Sequence, residues 1–135
     1  MKVLVDTSVW VDFFNDHPRQ EAQGLASLIQ DEVEIVTCGL VLTEFFQGIR
    51  DRRSLQRLEV YFRDMVNLEP REPETYFAAA ELYRDLRARG VSVRSTVDCL
   101  IARLAEEAGV SLLAKDRDMR LILDSGLCAV RSAQV

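Results

Sequence analysis

The sequence has little of the chemistry that histidine and cysteine usually supply. Its only histidine is His17, and its three cysteines, Cys38, Cys99 and Cys128, are odd in number, widely spaced and without a CxxC pair. A single histidine argues against a histidine-based metal site or catalytic triad. The cysteine pattern predicts reduced core thiols in a cytoplasmic protein, as against a disulfide or a thiolate metal site.

Long hydrophobic runs are also missing. No segment approaches the ~20 apolar residues that a membrane-spanning helix needs. No small-residue cleavage site follows an apolar block near the amino terminus, so a signal peptide is not predicted. With 135 residues, of which 48% are hydrophobic and 29% charged, the chain is predicted to form one globular domain over residues 1–135.

Positive charge is the scarcer sign, and nearly all of it is arginine. The net charge is −5, and 15 of the 17 basic residues are arginine. An acidic balance argues at first against a nucleic-acid ligand. The planar guanidinium group nevertheless suits phosphate. Composition alone therefore favours a solvated surface with local ion pairs and leaves a phosphate-binding role open.

Apolar periodicity predicts strands that alternate with helices along the whole chain. A helix after the first strand is predicted to end near Pro18. The alternation predicts a three-layer α/β/α sandwich with a mainly parallel sheet of five strands. The predicted strands are residues 3–5, 33–37, 66–70, 110–115 and 127–131, and the main helices are 40–50, 55–62, 73–86, 95–108 and 118–123.

Four acidic residues are predicted to meet at one edge of this sheet. Asp6 directly follows the first strand, and Asp116 directly follows strand 110–115. Ligands of open parallel sheets bind beyond the carboxyl ends of the strands. If these two strands are neighbours, both carboxylates come within reach of one metal ion. Helix amino termini lie at the same edge, which brings in Asp98, in a first turn, and Glu44, in the helix after the second strand.

Each acid taken alone also has a structural interpretation. Asp98 with Ser95 fits a capping box. Asp116 or Asp118 suits the cap of the helix that follows. Glu44 suits a surface position on its helix, and an aspartate in a turn after a strand is common. The convergence of the acids is harder to explain in this way, because clustered carboxylates repel one another and need a cation or shared protons.

The donor types select the kind of cation. Oxygen ligands without histidine or thiolate favour Mg²⁺ or Mn²⁺. Once five acids are set aside as facing a metal, the 17 remaining acidic residues balance the 17 basic ones, which weakens the objection to a nucleic-acid ligand. Arg94 and Arg117 are candidates for contacts with RNA phosphates, against the alternative of solvated surface charges. The acids set aside are Asp6, Glu44, Asp98, Asp116 and Asp118.

At these residues the chain resembles a PIN-domain protein, in particular a VapC-type toxin ribonuclease, over essentially its whole length. VLVDTSVWVDFF resembles the opening motif of the family, with Asp6 as a metal ligand and Ser8 as a site hydroxyl. LVLTEFFQGI resembles the second motif, which makes Glu44 the second acid. TVDCLIARLAEEAGVSLLAKDRDM resembles the third and fourth motifs, which place Asp98 and Asp116.

The resemblance implies an endoribonuclease that depends on Mg²⁺ or Mn²⁺, uses water as its nucleophile, and blocks translation by cutting structured RNA such as tRNA or rRNA. It implies that the four motif acids are metal-binding and catalytic, with Asp118 as an auxiliary. It also implies a homodimer and a cognate VapB-type antitoxin whose tail covers the cleft. The chain departs from the family pattern at Ala114, where Thr or Ser is frequent, and at Met119, where Phe is frequent.

Two other classes of function stay open on the sequence. One is a phosphoacceptor or phosphohydrolase domain of similar layout, with Lys115 as the partner of the phosphate; it would need a second acid after the first strand, which DTSVW lacks. The other is a non-catalytic module that keeps the fold and binds a partner protein. The four intact acids argue against such a module.

Overall fold

The computed structural model describes residues 1–17 and 19–133. The predicted helix end at Pro18 lies outside these residues; the helix itself ends at Phe14. The strands are β1 (Lys2–Val5), β2 (Glu34–Cys38), β3 (Asn67–Leu68) and β4 (Ser111–Leu113). The helices are α1 (Thr7–Phe14), α2 (Gln20–Gln30), α3 (Gly39–Phe46), α4 (Arg52–Arg63), α5 (Glu74–Ala88), α6 (Thr96–Ala108) and α7 (Arg117–Asp124).

The sheet is parallel, with the strand order β3-β2-β1-β4. Val3 of β1 pairs with Ile35 of β2 on one side and with Ser111 of β4 on the other. Helices cover the sheet, so Val3, Leu4 and Val5 are all fully buried, as expected of a central parallel strand. The predicted α/β class and parallel sheet are confirmed, and β1 and β4 are neighbours.

The predicted fifth strand, residues 127–131, was wrong as a strand. Among the described residues, the chain that follows this segment pairs with β4 at a single parallel bridge between Leu112 and Ser132. Before that bridge, the amide of Val130 donates to the carbonyl oxygen of Cys128 at 2.9 Å. This bond between residues two apart is a tight turn, and it diverts the backbone from a ladder. The sheet among the described residues therefore has four strands.

Two helix starts bring acids to the carboxyl edge of the sheet. The amide of Val97 donates to the Ser95 side chain at 3.1 Å, which caps α6, and the helix ends at Gly109 with a left-handed φ of 67°. Asp116 is the N-cap of α7. Because β1 and β4 end side by side, the starts of α1 and α7 are adjacent.

The three cysteines are core thiols, as the sequence predicted. Cys38, Cys99 and Cys128 are free and buried, and burial raises the pKa of the Cys99 and Cys128 thiols to about 11. These thiols are therefore protonated core side chains rather than reactive groups. Within the residues described, no helix is long and apolar enough to cross a bilayer.

Candidate metal centre

Asp6 lies at the junction of β1 and α1. Its amide donates to the carbonyl oxygen of Leu113 at 2.9 Å, which ties the ends of β1 and β4 together. It occupies the N-cap position of α1, yet its side chain makes no capping hydrogen bond. The carboxylate is 5% exposed. Burial raises the pKa of Asp6 to about 6, and the charges of Glu44 and Asp116 act in the same direction.

Ser8 was predicted as a site hydroxyl, and it lies beside Asp6. Its Oγ donates to Oδ2 of Asp6 at 3.4 Å, and this bond lowers the pKa of Asp6 against the larger effect of burial. The bond favours the charged form of the carboxylate and helps to orient it. Ser8 is therefore placed to support Asp6 rather than to act alone.

Three further acids converge from α6 and α7. One carboxylate oxygen each from Asp98, Asp116 and Asp118 lies within 4.8 Å of the other two. Burial raises the pKa of Asp98 to about 7, and the negative charges of Asp6, Asp116, Glu44 and Asp118 add to the effect. None of the hydrogen bonds found among residues 1–17 and 19–133 uses the Asp98 carboxylate, so the capping box predicted as its alternative is only half formed: Ser95 caps, and Asp98 is free.

Glu44 lies on α3 and is not one of the three acids whose carboxylate oxygens lie within 4.8 Å of one another. It is exposed, and the hydroxyl of Thr7 donates to its Oε1 at 3.2 Å, joining α1 to α3. Its charge contributes to the raised pKa of both Asp6 and Asp98. Glu44 is thus an exposed residue of its helix, as its structural interpretation predicted, and its charge still acts on Asp6 and Asp98. The role of Thr7 was missed by the sequence analysis, although its position next to Asp6 was a signal.

Asp116 and Asp118 also have structural roles. The amide of Asp118 donates to Oδ2 of Asp116 at 3.2 Å, so Asp116 caps α7 as its structural interpretation predicted. Asp118 is 3% exposed, and its Oδ2 accepts a hydrogen bond from the amide of Arg94 at 2.8 Å. Asp118 therefore holds the segment before α6, and with it the helix start that carries Asp98.

Arg94 and Arg117, predicted as RNA contacts, both have an acidic partner. Nε of Arg94 lies 3.7 Å from one oxygen of Asp118, and a terminal nitrogen of Arg117 lies 3.6 Å from the other. Both arginine side chains are exposed, at 77% and 69%. They help to neutralise a buried carboxylate beside the site. A contact of either one with RNA stays a prediction.

A partly buried ion pair joins α1 to the segment that carries Asp116. Asp12 is 6% exposed, and its Oδ2 contacts Nζ of Lys115, the residue directly before Asp116. The ammonium group that the phosphoacceptor alternative needs is therefore already engaged. Asp12 is not distinguished by the sequence alone, because an aspartate between apolar residues of a short helix cannot be matched to a partner far along the chain.

We expect Asp12→Asn to weaken metal binding. The change leaves the Lys115 ammonium without its carboxylate and loosens the segment that presents Asp116. Loss of a group that orients a metal ligand typically costs ~10–100-fold in metal affinity, and we expect a rise of that size in the Kd for Mn²⁺. Calorimetric titration measures it, and hydrogen exchange of residues 114–120 in the metal-free protein is expected to speed up.

The matched control is Glu34→Gln. It breaks the pair of the chain's other lysine, Lys2, whose ammonium lies 3.8 Å from Glu34 in an exposed position at the opposite edge of the sheet. Exposed pairs contribute little to stability, so Mn²⁺ affinity and exchange are expected to stay as in the wild type. An unchanged Mn²⁺ affinity in Asp12→Asn would contradict the positioning role of the pair.

The donor set fits a hard divalent cation. All the converging side chains offer carboxylate oxygens, which Mg²⁺ and Mn²⁺ prefer. The protein alone leaves this charge poorly compensated, as the raised pKa values of Asp6 and Asp98 indicate. A cation in contact with the acids would favour their charged forms. The residues at this edge of the sheet therefore suit a metal centre.

Comparison with known proteins points to one family. The family model of the PIN domain matches residues 3–122. Ribonuclease VapC11 of Mycobacterium tuberculosis is 32% identical over 121 residues, which cover 89% of this chain and 90% of that relative. A VapC ribonuclease of Mycobacterium bovis matches equally well. The solved structure of VapBC-1 from nontypeable Haemophilus influenzae has a TM-score of 0.71 at 17% identity, covering 98% of this chain and 97% of that one, which shows a shared fold.

Proposed function

This chain belongs to the PIN-domain family as a VapC-type ribonuclease, and on that premise we propose that it hydrolyses RNA phosphodiester bonds with a bound divalent metal. The observation that carries the proposal is the close approach of Asp98, Asp116 and Asp118, whose carboxylate oxygens lie within 4.8 Å of one another. The pKa values of Asp6 and Asp98 are raised to about 6 and 7, first by burial and then by neighbouring acids. The proposed metal ligands and catalytic residues are Asp6, Glu44, Asp98 and Asp116.

In the proposed mechanism, the side chains of this protein hold the metal ion and orient the carboxylates that bind it. When bound, Mg²⁺ or Mn²⁺ supplies positive charge for the phosphate and lowers the pKa of a coordinated water, the proposed nucleophile. Asp6 and Asp98 must lose their protons to act as ligands. Ser8 and Thr7 orient the carboxylates of Asp6 and Glu44 through the hydrogen bonds described above. Asp118 acts as an auxiliary, because it fixes the chain before α6 and so the position of Asp98.

The proposed protein partner is a VapB-type antitoxin. A groove of about 810 Å³ lies between α1, α3 and α4, and Glu44 is one of its lining residues. A largely apolar wall of this kind suits the apolar face of a helix, and we place the antitoxin tail here, where it covers the cleft. The apolar lining side chains are Val11, Phe13, Phe14, Ile29, Phe45, Ile49, Leu58 and Tyr61.

Three finer parts of the proposal rest on family membership. They are the inhibition of translation by cutting structured RNA, a homodimer, and a cytoplasmic location. Reduced, buried cysteines are consistent with that location. The phosphoacceptor alternative is not favoured, because Lys115 is paired with Asp12.

The proposed function is tested by assaying purified protein on total transfer RNA. We expect cleavage with Mg²⁺ or Mn²⁺, no cleavage with EDTA, and recovery when Mn²⁺ is added back. The product of a neighbouring reading frame, purified separately, is expected to stop the cleavage if it is the antitoxin. Cleavage that survives EDTA would contradict the metal-dependent mechanism, and labelling of the chain by a phosphoryl donor would favour the phosphoacceptor alternative.

A further inference from the structure

Four arginines lie within eight residues of sequence, in the connection between α3 and α4 and in the first half of α4. They are Arg50, Arg52, Arg53 and Arg57, and Asp51 is the only acid within the same eight residues. All four arginine side chains are exposed. None of them forms an ion pair with an acidic side chain in the part of the chain that the structure describes. We call these four residues the arginine rim.

Asp51, the one acid among these eight residues, already caps the helix. Oδ2 of Asp51 accepts hydrogen bonds from the amide of Ser54 at 3.1 Å and from its hydroxyl at 2.7 Å, which caps α4. The arginine rim therefore presents four positive charges to solvent against one negative charge, on a chain whose net charge is −5. Such a local reversal of charge attracts a polyanion.

The rim shares a groove with one acid of the proposed metal centre. Arg50 and Arg57 line the same groove as Glu44. A phosphate held by these two side chains would therefore lie in the same groove as Glu44, one of the proposed metal ligands. In contrast, Arg94 and Arg117, closer in sequence to the acids, are both paired with Asp118.

We propose that the arginine rim binds the phosphate backbone of the RNA substrate beside the cleavage site. The inference rests on the proposed ribonuclease function and adds the residues that hold the substrate. Guanidinium groups match phosphate oxygens in pairs. Contacts with phosphate fix the position of a strand without reading its bases, so the rim contributes affinity and register rather than sequence specificity.

The test measures binding of labelled transfer RNA by fluorescence anisotropy at several salt concentrations, with Mg²⁺ present. All proteins carry Asp6→Asn so that the RNA stays intact. Each lost phosphate contact is expected to reduce the slope of log K against log salt by ~0.7–0.9. The pair Arg50→Gln and Arg57→Gln is therefore expected to lower the slope by about 1.5 and to raise Kd about tenfold.

The matched control is the pair Arg84→Gln and Arg87→Gln. Both arginines are exposed on α5 and do not line the groove. We expect this pair to keep the slope and Kd of its parent, and both pairs to keep the parent's circular dichroism. In proteins with Asp6 intact, the rim variants are expected to raise KM for cleavage with little change in kcat.

Two outcomes would overturn the inference alone. One is a rim variant with the salt slope and KM of the control. The other is a rim variant that keeps RNA affinity but loses inhibition by the antitoxin, which would assign the rim to the protein partner. If the wild type neither cuts nor binds RNA, the proposed function and this inference fail together.

Discussion

Asp6→Asn is expected to reduce RNA cleavage by at least ~100-fold, the cost of losing one preorganised charge at a catalytic centre. The same change is expected to stabilise the metal-free protein. Asp6 is 5% exposed, and its pKa is raised to about 6, so ionising it in the folded state at pH 8 costs roughly 2–3 kcal/mol. Asparagine keeps the shape and an acceptor oxygen but carries no charge.

Cleavage rates measured with Mg²⁺ check the first half of this expectation, and melting temperatures measured in EDTA check the second. The matched control is Asp31→Asn, since Asp31 is an exposed acid after α2 and is expected to change neither quantity. A variant at Asp6 that cuts RNA at the wild-type rate would remove the catalytic assignment. A variant that loses cleavage and also melts at a lower temperature would show that Asp6 supports the fold and would contradict the proposed cost of its charge.

The stability of the metal-free protein is expected to fall as the pH rises from about 4 to about 7. The ordinary pKa of an aspartate is 3.8, and the folded protein raises it to about 6 for Asp6 and about 7 for Asp98. Across that window the unfolded chain releases these protons first, so unfolding becomes easier. The effect is roughly 2–3 kcal/mol for Asp6. The contribution of Asp98 is smaller than its shift suggests, because it is only partly buried and solvent screens it.

Saturating Mn²⁺ or Mg²⁺ is expected to reverse this loss. A ligand at about 100 times its Kd stabilises the protein that binds it by ~2.7 kcal/mol, and the gain is expected to be larger at pH 8 than at pH 5, because metal and protons compete for the acids. Calorimetric melting from pH 4 to 8, with EDTA and with metal, measures it. Identical pH profiles for the wild type and Asp6→Asn would contradict the assignment of the window to this carboxylate.

The parallel α/β architecture was predictable because it follows from local patterns, whereas the strand order was not predicted. Buried runs and helical spacing identified the strands and helices, and the preference of parallel strands for helical crossovers placed the strand ends at one edge. The prediction that Asp6 and Asp116 lie near each other required β1 and β4 to be neighbours, and in the structure these two strands are paired. The strand predicted at residues 127–131 failed because an apolar run does not reveal a tight turn such as the one at Val130.

Side-chain partners were less predictable, because they join residues far apart in the sequence. The pairing of Asp12 with Lys115 and that of Asp118 with the amide of Arg94 depend on how α1, α6 and α7 meet. The same holds for the arginines. Composition showed that arginine is abundant, but only the folded chain separates the arginines with an acidic partner among the described residues from those without one, which include the four of the arginine rim.

By itself, the sequence determined the family, the parallel α/β architecture and the identity of the acids at the strand and helix ends, since these depend on motifs and on periodicity within short segments. The tertiary structure decided how the charges of those acids are balanced. Burial, the ion pair of Asp12 and the hydrogen bonds of Asp118 arise only when distant helices pack together, and the free energy of a charge depends on everything within several ångströms of it.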